Sequence, residues 1–136
     1  MKNPFSPGAQ KKYQTLVTEE KIALFDEEGI VHPVYSTFAL GKDAEWACRL
    51  LVLEMREAGE EGVGAYLSVE HLYPAPLGSK VEIVATLMSV EANRVHCKYE
   101  AFSNGFCIAK GEQTQKIINK QKFDALINEI GKSIQG

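Results

Sequence analysis

The sequence predicts an α+β fold in which one long helix lies against an antiparallel sheet. From residue 36 to about residue 55, apolar residues cover nearly the whole circumference of a helix, which is typical of a buried helix. From 62 to 118, four successive stretches alternate apolar and polar residues, which is typical of β-strands. The predicted order is strand, buried helix and four strands, and a helix packed on such a sheet gives a two-layer architecture.

The segment before the helix is predicted to contain one strand. Residues 1–12 include two prolines and a glycine, and we expect them to form a mobile lead-in. Residues 13–20 combine apolar and β-branched side chains and are predicted to be the first strand. A short turn or helix is expected at 24–25, and Gly29 and Pro33 then indicate an extended approach to the helix.

The helix and the elements after it carry clear local signals. Ser36 and Thr37 stand where an N-cap is expected. The strands are predicted at 62–71, 80–90, 94–102 and 106–118, and Asn104-Gly105 is a strong hairpin signal between the last two. Residues 120–134 place apolar side chains on one face and are predicted to form an amphipathic C-terminal helix; these side chains are Phe123, Leu126, Ile127, Ile130 and Ile134.

Length and charge exclude several classes of protein. With 136 residues, we expect a single domain over 1–136. A formal net charge of −3 argues against a nucleic-acid partner, which calls for a basic surface. No apolar run is long enough to span a membrane. Because the first residues lack the apolar core of a signal peptide, we expect a cytoplasmic protein without a membrane partner.

The chain also lacks the common motifs for metals, cofactors and serine nucleophiles. Its three cysteines form no Cys-x-x-Cys pair and are predicted to be small buried side chains. Its three histidines have no metal-ligand spacing, so no metal site is expected. The sequence contains no glycine-rich nucleotide-binding motif and no Gly-x-Ser-x-Gly, so neither a nucleotide cofactor nor an ordinary serine hydrolase is indicated.

Glu45 is an unusual residue in the middle of the apolar helix. A carboxylate in a buried helix is costly unless it is paired or functional. Alternatively, Glu45 occupies a narrow exposed strip with Lys42 and Arg49, which lie within helical contact range.

Three further positions have both a structural and a functional interpretation. His71 shares a strand face with Val63, Ala65, Leu67 and Val69 by the period of two, so it either is a core histidine bonded to a carbonyl or pairs with an inward Glu45. Thr37 is either a plain cap or a hydroxyl that holds an acyl oxygen. Gly64 either forms a bulge or lets the backbone approach a substrate closely.

Taken together, these residues resemble the fluoroacetyl-CoA thioesterase-like family of hotdog proteins. The spacing of Thr37, Glu45 and His71 is the most specific part, and the similarity runs over about 16–118. The resemblance implies a hotdog fold, with the antiparallel sheet wrapped around the central helix. The predicted C-terminal helix lies beyond the similar region and is an addition to that fold. The resemblance also implies a homodimer that joins its sheets. The matching segments are Val-His-Pro-Val-Tyr-Ser-Thr at 31–37, Ala-Glu-Trp-Ala at 44–47, Val-Gly at 63–64, and His71.

The resemblance implies that Thr37, Glu45 and His71 catalyse acyl-CoA hydrolysis and that Gly64 contacts the substrate. No cofactor is implied beyond the CoA that is part of the substrate. Where the family's fluoroacetyl-CoA enzyme has a substrate-binding arginine, this chain has Gln115. The resemblance therefore supports thioester hydrolysis as a class and does not support fluoroacetyl-CoA as the substrate.

Several mechanisms stay open at this point. Glu45 acts either as a general base on water or as the nucleophile on the carbonyl, with His71 shuttling the proton. Thr37 and Glu45 are eight residues apart, which is about 12 Å along a straight helix, so either Thr37 precedes the helix or the site combines two subunits. A protein that only binds an acyl-CoA or another small apolar molecule is the alternative. A hydratase is disfavoured because the chain lacks the corresponding Asp/His loop.

Overall fold

The computed structural model describes residues 1–25 and 27–135. One turn of 3₁₀ helix at Glu19–Lys21 lies between the first two strands. The elements in chain order are β1 (Gln10–Leu16), β2 (Ile22–Phe25), β3 (Gly29–Tyr35), α1 (Thr37–Met55), β4 (Glu60–Leu67), β5 (Glu70–His71), β6 (Lys80–Glu91), β7 (Arg94–Ser103), β8 (Phe106–Asn119) and α2 (Lys120–Gln135).

Six strands form one antiparallel sheet around α1. The strand order is β1-β6-β7-β8-β4, and the short β5 pairs with β8 beyond the end of β4. The helix packs against β1, β4, β6, β7 and β8, because its buried residues and the inward side chains of these strands form one apolar core. The predicted α+β architecture, with a central helix and an antiparallel sheet, is confirmed.

The strand predictions are accurate where alternation is regular. β6, β7 and β8 each extend one residue past the predicted end. β1 begins at Gln10, so the end of the expected lead-in belongs to the sheet. The expected turn or helix at 24–25 is wrong, since these residues end β2, which pairs with β3 in a separate two-stranded sheet. Two register shifts in that pairing disturb the alternation that the prediction relied on.

A β-bulge divides the stretch that was predicted to be one strand over 62–71. Gly64 pairs with Gln115 and Tyr66 pairs with Thr114, so Ala65 is the extra residue. Because side chains alternate between faces, one extra residue exchanges the two faces of the strand. The predicted common face of this strand is therefore wrong in its first half.

The side chains around the bulge show this exchange directly. Before it, Gly62 and Gly64 face α1: a Cβ at Gly62 would lie 2.6 Å from the Val52 side chain. After it, Leu67 and Val69 face α1, and their side chains lie next to the Cβ position of Gly41. On one side of the bulge, the glycine backbone of β4 therefore lies close to the side chains of α1. On the other side, apolar side chains contact the helix at Gly41.

One face of α1 is buried and the other is open to solvent in the single chain. Ser36 caps the helix, since its hydroxyl accepts a hydrogen bond from Ala39 N at 3.0 Å. Phe38 is 86% exposed and Trp46 is 42% exposed, so the prediction of a helix buried all round is wrong for one subunit. The buried face consists of Leu40, Gly41, Asp43, Ala44, Ala47, Cys48, Leu51, Val52 and Met55.

A partly buried ion pair fixes the start of α1 to the strands around it. Asp43 Oδ2 accepts hydrogen bonds from Tyr35 Oη at 2.5 Å and from Lys21 Nζ at 3.0 Å. Lys21 Nζ also donates to Thr15 Oγ1 at 2.6 Å. Burial, and next the bond to Asp43, raise the pKa of Tyr35 far above its usual value, so the phenol keeps its proton and donates. This network links β1, β3 and α1.

The C-terminal helix is confirmed, and its own subunit leaves most of its apolar face uncovered. It begins beside β4, where Lys120 N donates to Gly59 O at 3.0 Å. Phe123 is half-buried beside β8. The later apolar side chains Leu126, Ile127, Ile130 and Ile134 are all at least half exposed, so only the start of the helix packs on its own subunit. Within the described ranges, neither helix has the length and apolar character needed to cross a membrane.

Candidate active site

The structure brings Thr37 and His71 together at the start of α1. Because Ser36 provides the cap, the hydroxyl of Thr37 is not used for capping. Thr37 Oγ1 lies 3.2 Å from His71 Nδ1. The prediction that His71 turns toward the helix is thus confirmed, and its partner is the threonine at the first helical position.

The second ring nitrogen of His71 is buried without a partner. His71 is held in place because β5 pairs with β8 opposite Ala109. Its Nε2 is shielded from solvent and forms no hydrogen bond with any described residue. Thr37 and His71 line a groove of about 290 Å³, together with Tyr35, Leu72 and Tyr73 among others. A buried polar atom without a partner is costly, so the burial of this nitrogen is uncompensated by the described residues of the single chain.

Glu45 lies further along α1, half-buried against the backbone of β4. A Cβ at Gly64 would lie 3.2 Å from Glu45 Cδ and closer still to Oε1. Any larger residue would have to displace the carboxylate. The close approach that a strand glycine predicts therefore exists here, and it is to the Glu45 side chain, next to the bulge at Ala65.

Glu45 opens onto a groove along the exposed face of α1. This groove, of about 530 Å³, is lined by Phe38, Lys42, Trp46 and Arg49 among others. Arg49 is partly engaged, since it donates to Gly62 O at 2.9 Å and pairs with Glu61. Lys42 forms no ion pair with any described residue. A carboxylate thus adjoins apolar surface and a cation.

The expected direct pair between Glu45 and His71 is wrong in one chain. The hydrogen bond of the Glu45 carboxylate comes from Gln113, whereas His71 bonds to Thr37. Since α1 is helical from Thr37 onward, about 12 Å of helical rise separates Thr37 from Glu45. The site residues therefore form two groups, Thr37 with His71 and Glu45 with Gly64.

Two buried glutamines contact Glu45, and the sequence analysis noted Gln115 only as a replacement for the family's arginine and missed Gln113. Gln113 Nε2 lies 3.3 Å from Glu45 Oε1, and Gln115 Nε2 lies 3.4 Å from the Glu45 carbonyl oxygen. Both side chains are 1% exposed. The sequence did contain a signal for both glutamines. They share a strand face with Ile117 by the period of two, so their side-chain amides were to be expected on the inward face of the sheet.

Comparisons with known proteins show which family this chain matches. The sequence profile of the family described as FlK, fluoroacetyl-CoA-specific thioesterase, matches residues 17–121. The fluoroacetyl-CoA thioesterase of Streptantibioticus cattleyicolor is 31% identical over 85 residues, which is 62% of this chain. The alignment spans 61% of that enzyme, so about two fifths of it has no counterpart in the match.

Solved structures agree with this assignment. A Thermus thermophilus hypothetical protein, described as a thioesterase superfamily member, superimposes with a TM-score of 0.94 at 37% identity, and the match covers 97% of each chain. A hot-dog-like protein from Thermanaerovibrio acidaminovorans gives a TM-score of 0.84 at 22% identity, covering 92% of each chain. The second match confirms the predicted hotdog fold. The profile match covers most of the chain, and the chain therefore belongs to the fluoroacetyl-CoA-specific thioesterase family.

Proposed function

We propose that this protein hydrolyses acyl-CoA thioesters through Thr37, Glu45 and His71. The position of the Glu45 carboxylate supports this most directly. The carboxylate accepts a hydrogen bond from Gln113, lies against Gly64, and adjoins a groove lined by apolar and cationic side chains. An acyl chain suits the apolar part of such a groove, and the phosphates of CoA suit its cations. Family membership supports the same reaction class.

The proposed reaction is the addition of water to the thioester carbonyl. Glu45 takes a proton from the water as it attacks, which is general base catalysis. The tetrahedral intermediate collapses, the carbon–sulfur bond breaks, and the CoA thiolate receives a proton by way of His71. Thr37 Oγ1 positions the carbonyl or the imidazole, and a main-chain donor serves the oxyanion. Attack by Glu45 itself is the variant mechanism.

A homodimer through β4 would complete this site. β4 and β1 are the two edges of the sheet. β1 carries Lys11 and Lys12, and lysines on an edge strand oppose pairing with another chain. β4 instead ends in Tyr66 and Leu67, which are 53% and 41% exposed. We infer that β4 is the edge that pairs with a second copy.

The symmetry of that pairing joins the two groups of site residues. In a two-fold dimer, antiparallel pairing of the β4 strands also sets the two α1 helices antiparallel. The Thr37–His71 pair of one subunit then approaches Glu45 of the other subunit. Such a dimer should bury about 1,200 Å² or more, including the exposed Phe38 and Trp46 of α1.

Turnover of a panel of acyl-CoAs tests the function. We expect the purified protein to release free CoA thiol from at least one member of a panel that varies in acyl length and polarity, with saturation kinetics. Thiol release is followed with a chromogenic disulfide. Binding of an acyl-CoA in calorimetry without thiol release from any member would support the binding protein and exclude the thioesterase.

Subunit mixing tests whether the site is shared. We expect Glu45→Gln and His71→Ala homodimers each to be inactive, and the mixture, after unfolding and refolding together, to recover about one quarter of the parent activity. The reason is that half of the dimers are mixed and each mixed dimer has one site with neither change. No recovery, together with a sedimentation mass of twice one chain, would place the whole site within a single subunit.

A further inference from the structure

The two glutamines of β8 form a chain of hydrogen bonds that ends on the Glu45 carboxylate. Gln113 and Gln115 lie two residues apart and are both 1% exposed. Gln115 Nε2 donates to Gln113 Oε1 at 3.0 Å, and Gln113 Nε2 donates to Glu45 Oε1 at 3.3 Å. Burying two amides in a core is costly unless they are bonded, so apolar residues would be the simpler choice if packing alone mattered.

The bonds of Gln113 determine which way its amide points. Its nitrogen donates to Glu45 Oε1 and to the backbone oxygen of Thr114, the latter at 3.2 Å. Its oxygen accepts from Gln115 Nε2. A reversed amide would face the Gln115 donor with its own NH₂ group and would face the carboxylate with its oxygen, and both contacts are repulsive. Gln115 therefore keeps the donor of Gln113 directed at Glu45.

Gln115 is in turn held by the helix it supports. Its Nε2 also lies 3.4 Å from the backbone oxygen of Glu45. Gln115 therefore contacts both the backbone of α1 and the side-chain amide of Gln113, which bonds to the Glu45 carboxylate. Its Oε1 is buried and unpaired among the described residues. The bonded atom of this amide is therefore its nitrogen, which is the donor that faces Gln113.

We propose that Gln113 is a positioning residue that orients the Glu45 carboxylate for catalysis, and that Gln115 fixes the orientation of Gln113. The proposal rests on the proposed thioesterase function. An amide suits this task because it donates a hydrogen bond without carrying a charge. A cation at this position would form an ion pair and make the carboxylate a weaker base, whereas the amide orients it with a smaller loss of basicity.

Two variants of Gln113 separate positioning from packing. Gln113→Leu keeps the approximate volume and removes the donor. Gln113→Glu is nearly isosteric, can still accept from Gln115, and places a second carboxylate beside Glu45, so it remains informative if the leucine variant fails to fold. Gln121→Leu, on the exposed surface of α2, is the control for loss of a glutamine. The other ionisable groups at the groove are unchanged in all three; they are Tyr13, Glu20, Lys21, Lys42, Asp43 and Arg49.

We expect both Gln113 variants to lower kcat by about 10-fold or more with KM within about threefold, and the control to match the parent. The acid limb of the kcat/KM profile should move to higher pH, since one variant loses a donor to the carboxylate and the other adds a like charge. Carbon-13 NMR of the Glu45 carboxyl needs no turnover, and its titration should move to higher pH in Gln113→Leu than in the parent, because the carboxylate loses a donor.

Failure of this inference differs from failure of the function. Unchanged kcat, pH profile and carboxyl titration in the folded Gln113 variants would overturn the positioning role, even if Glu45→Gln is inactive. A parent that hydrolyses no acyl-CoA would overturn the thioesterase function; the NMR titration then still decides whether Gln113 governs the carboxylate. Loss of activity with unchanged pH profile and carboxyl titration would also count against the inference, because it indicates packing alone.

Discussion

Replacing Glu45 by Gln is expected to lower kcat by about 10²-fold or more, the usual scale of a lost general base. The amide has the same shape, so the approach to Gly64 and the buried face of α1 should be preserved. The substitution removes the carboxylate that accepts the proton, and Gln113 then faces either the oxygen or the nitrogen of the new amide. Thiol release measures the loss of activity, and circular dichroism shows whether the fold is preserved.

A second carboxylate on the same helix is the matched control for this substitution. Glu54 lies on α1, pairs with Lys11 and is half exposed, so Glu54→Gln should leave kcat within about twofold, as surface changes usually do. If Glu45→Gln retains activity within a few-fold of the parent, Glu45 is not part of the mechanism.

Replacing Gly111 by Ala is expected to destabilise the protein by about 3 kcal/mol, at the upper end of overpacking effects. A Cβ at this position would lie 2.8 Å from the backbone carbon of Ser68, closer still to its oxygen, and 2.7 Å from Tyr99 Oη. It would also interrupt the hydrogen bond from Tyr99 Oη to Ser68 O, which is 2.5 Å long. Burial raises the pKa of Tyr99, so the phenol stays protonated and donates this bond in the parent.

Thermal unfolding measures this effect, with a fall in Tm of about 10 °C expected for a chain of this size. Ser68 leads from β4 to β5, so its displacement should also move His71 and lower activity in the protein that remains folded. Gly131→Ala is the control, because its Cβ meets open space and a helical glycine is the poorer residue; it should leave Tm unchanged or raise it slightly. An equal Tm for Gly111→Ala and the parent would contradict the crowding around Ser68.

The sequence predicted those elements whose signals are local. Regular alternation is a local property, so β6, β7 and β8 were placed to within a residue or two. A bulge was one of the two interpretations of Gly64, but its exact position at Ala65 appears only when β4 is paired with β8. The open face of α1 is wider than the exposed strip that was the alternative for Glu45, for a related reason. Phe38 and Trp46 are apolar, and composition does not distinguish cover by the same chain from cover by a second one.

The residues of the candidate site were predicted, but the direct pairing expected between Glu45 and His71 is wrong in the single chain. Resemblance identified Thr37, Glu45, Gly64 and His71, and the structure places them in two pairs that a linear pattern does not define. The choice of Ser36 as cap could not be made from the sequence, because threonine and serine are both good caps. Which of them bonds to Ala39 depends on how β3 enters the helix.

The bulge in β4 also limits how the chain can change its length over evolution. Deleting Ala65 would restore a plain alternating strand and would leave the later side chains as far as His71 on their present faces, because the bulge is what takes up the extra residue. Inserting one residue between 65 and 70 would instead turn the side chains after it to the opposite face unless a second bulge formed. Relatives that keep a histidine on the helix side are therefore expected to have an odd spacing between the positions of Gly64 and His71 where the bulge is present, and an even spacing where it is absent.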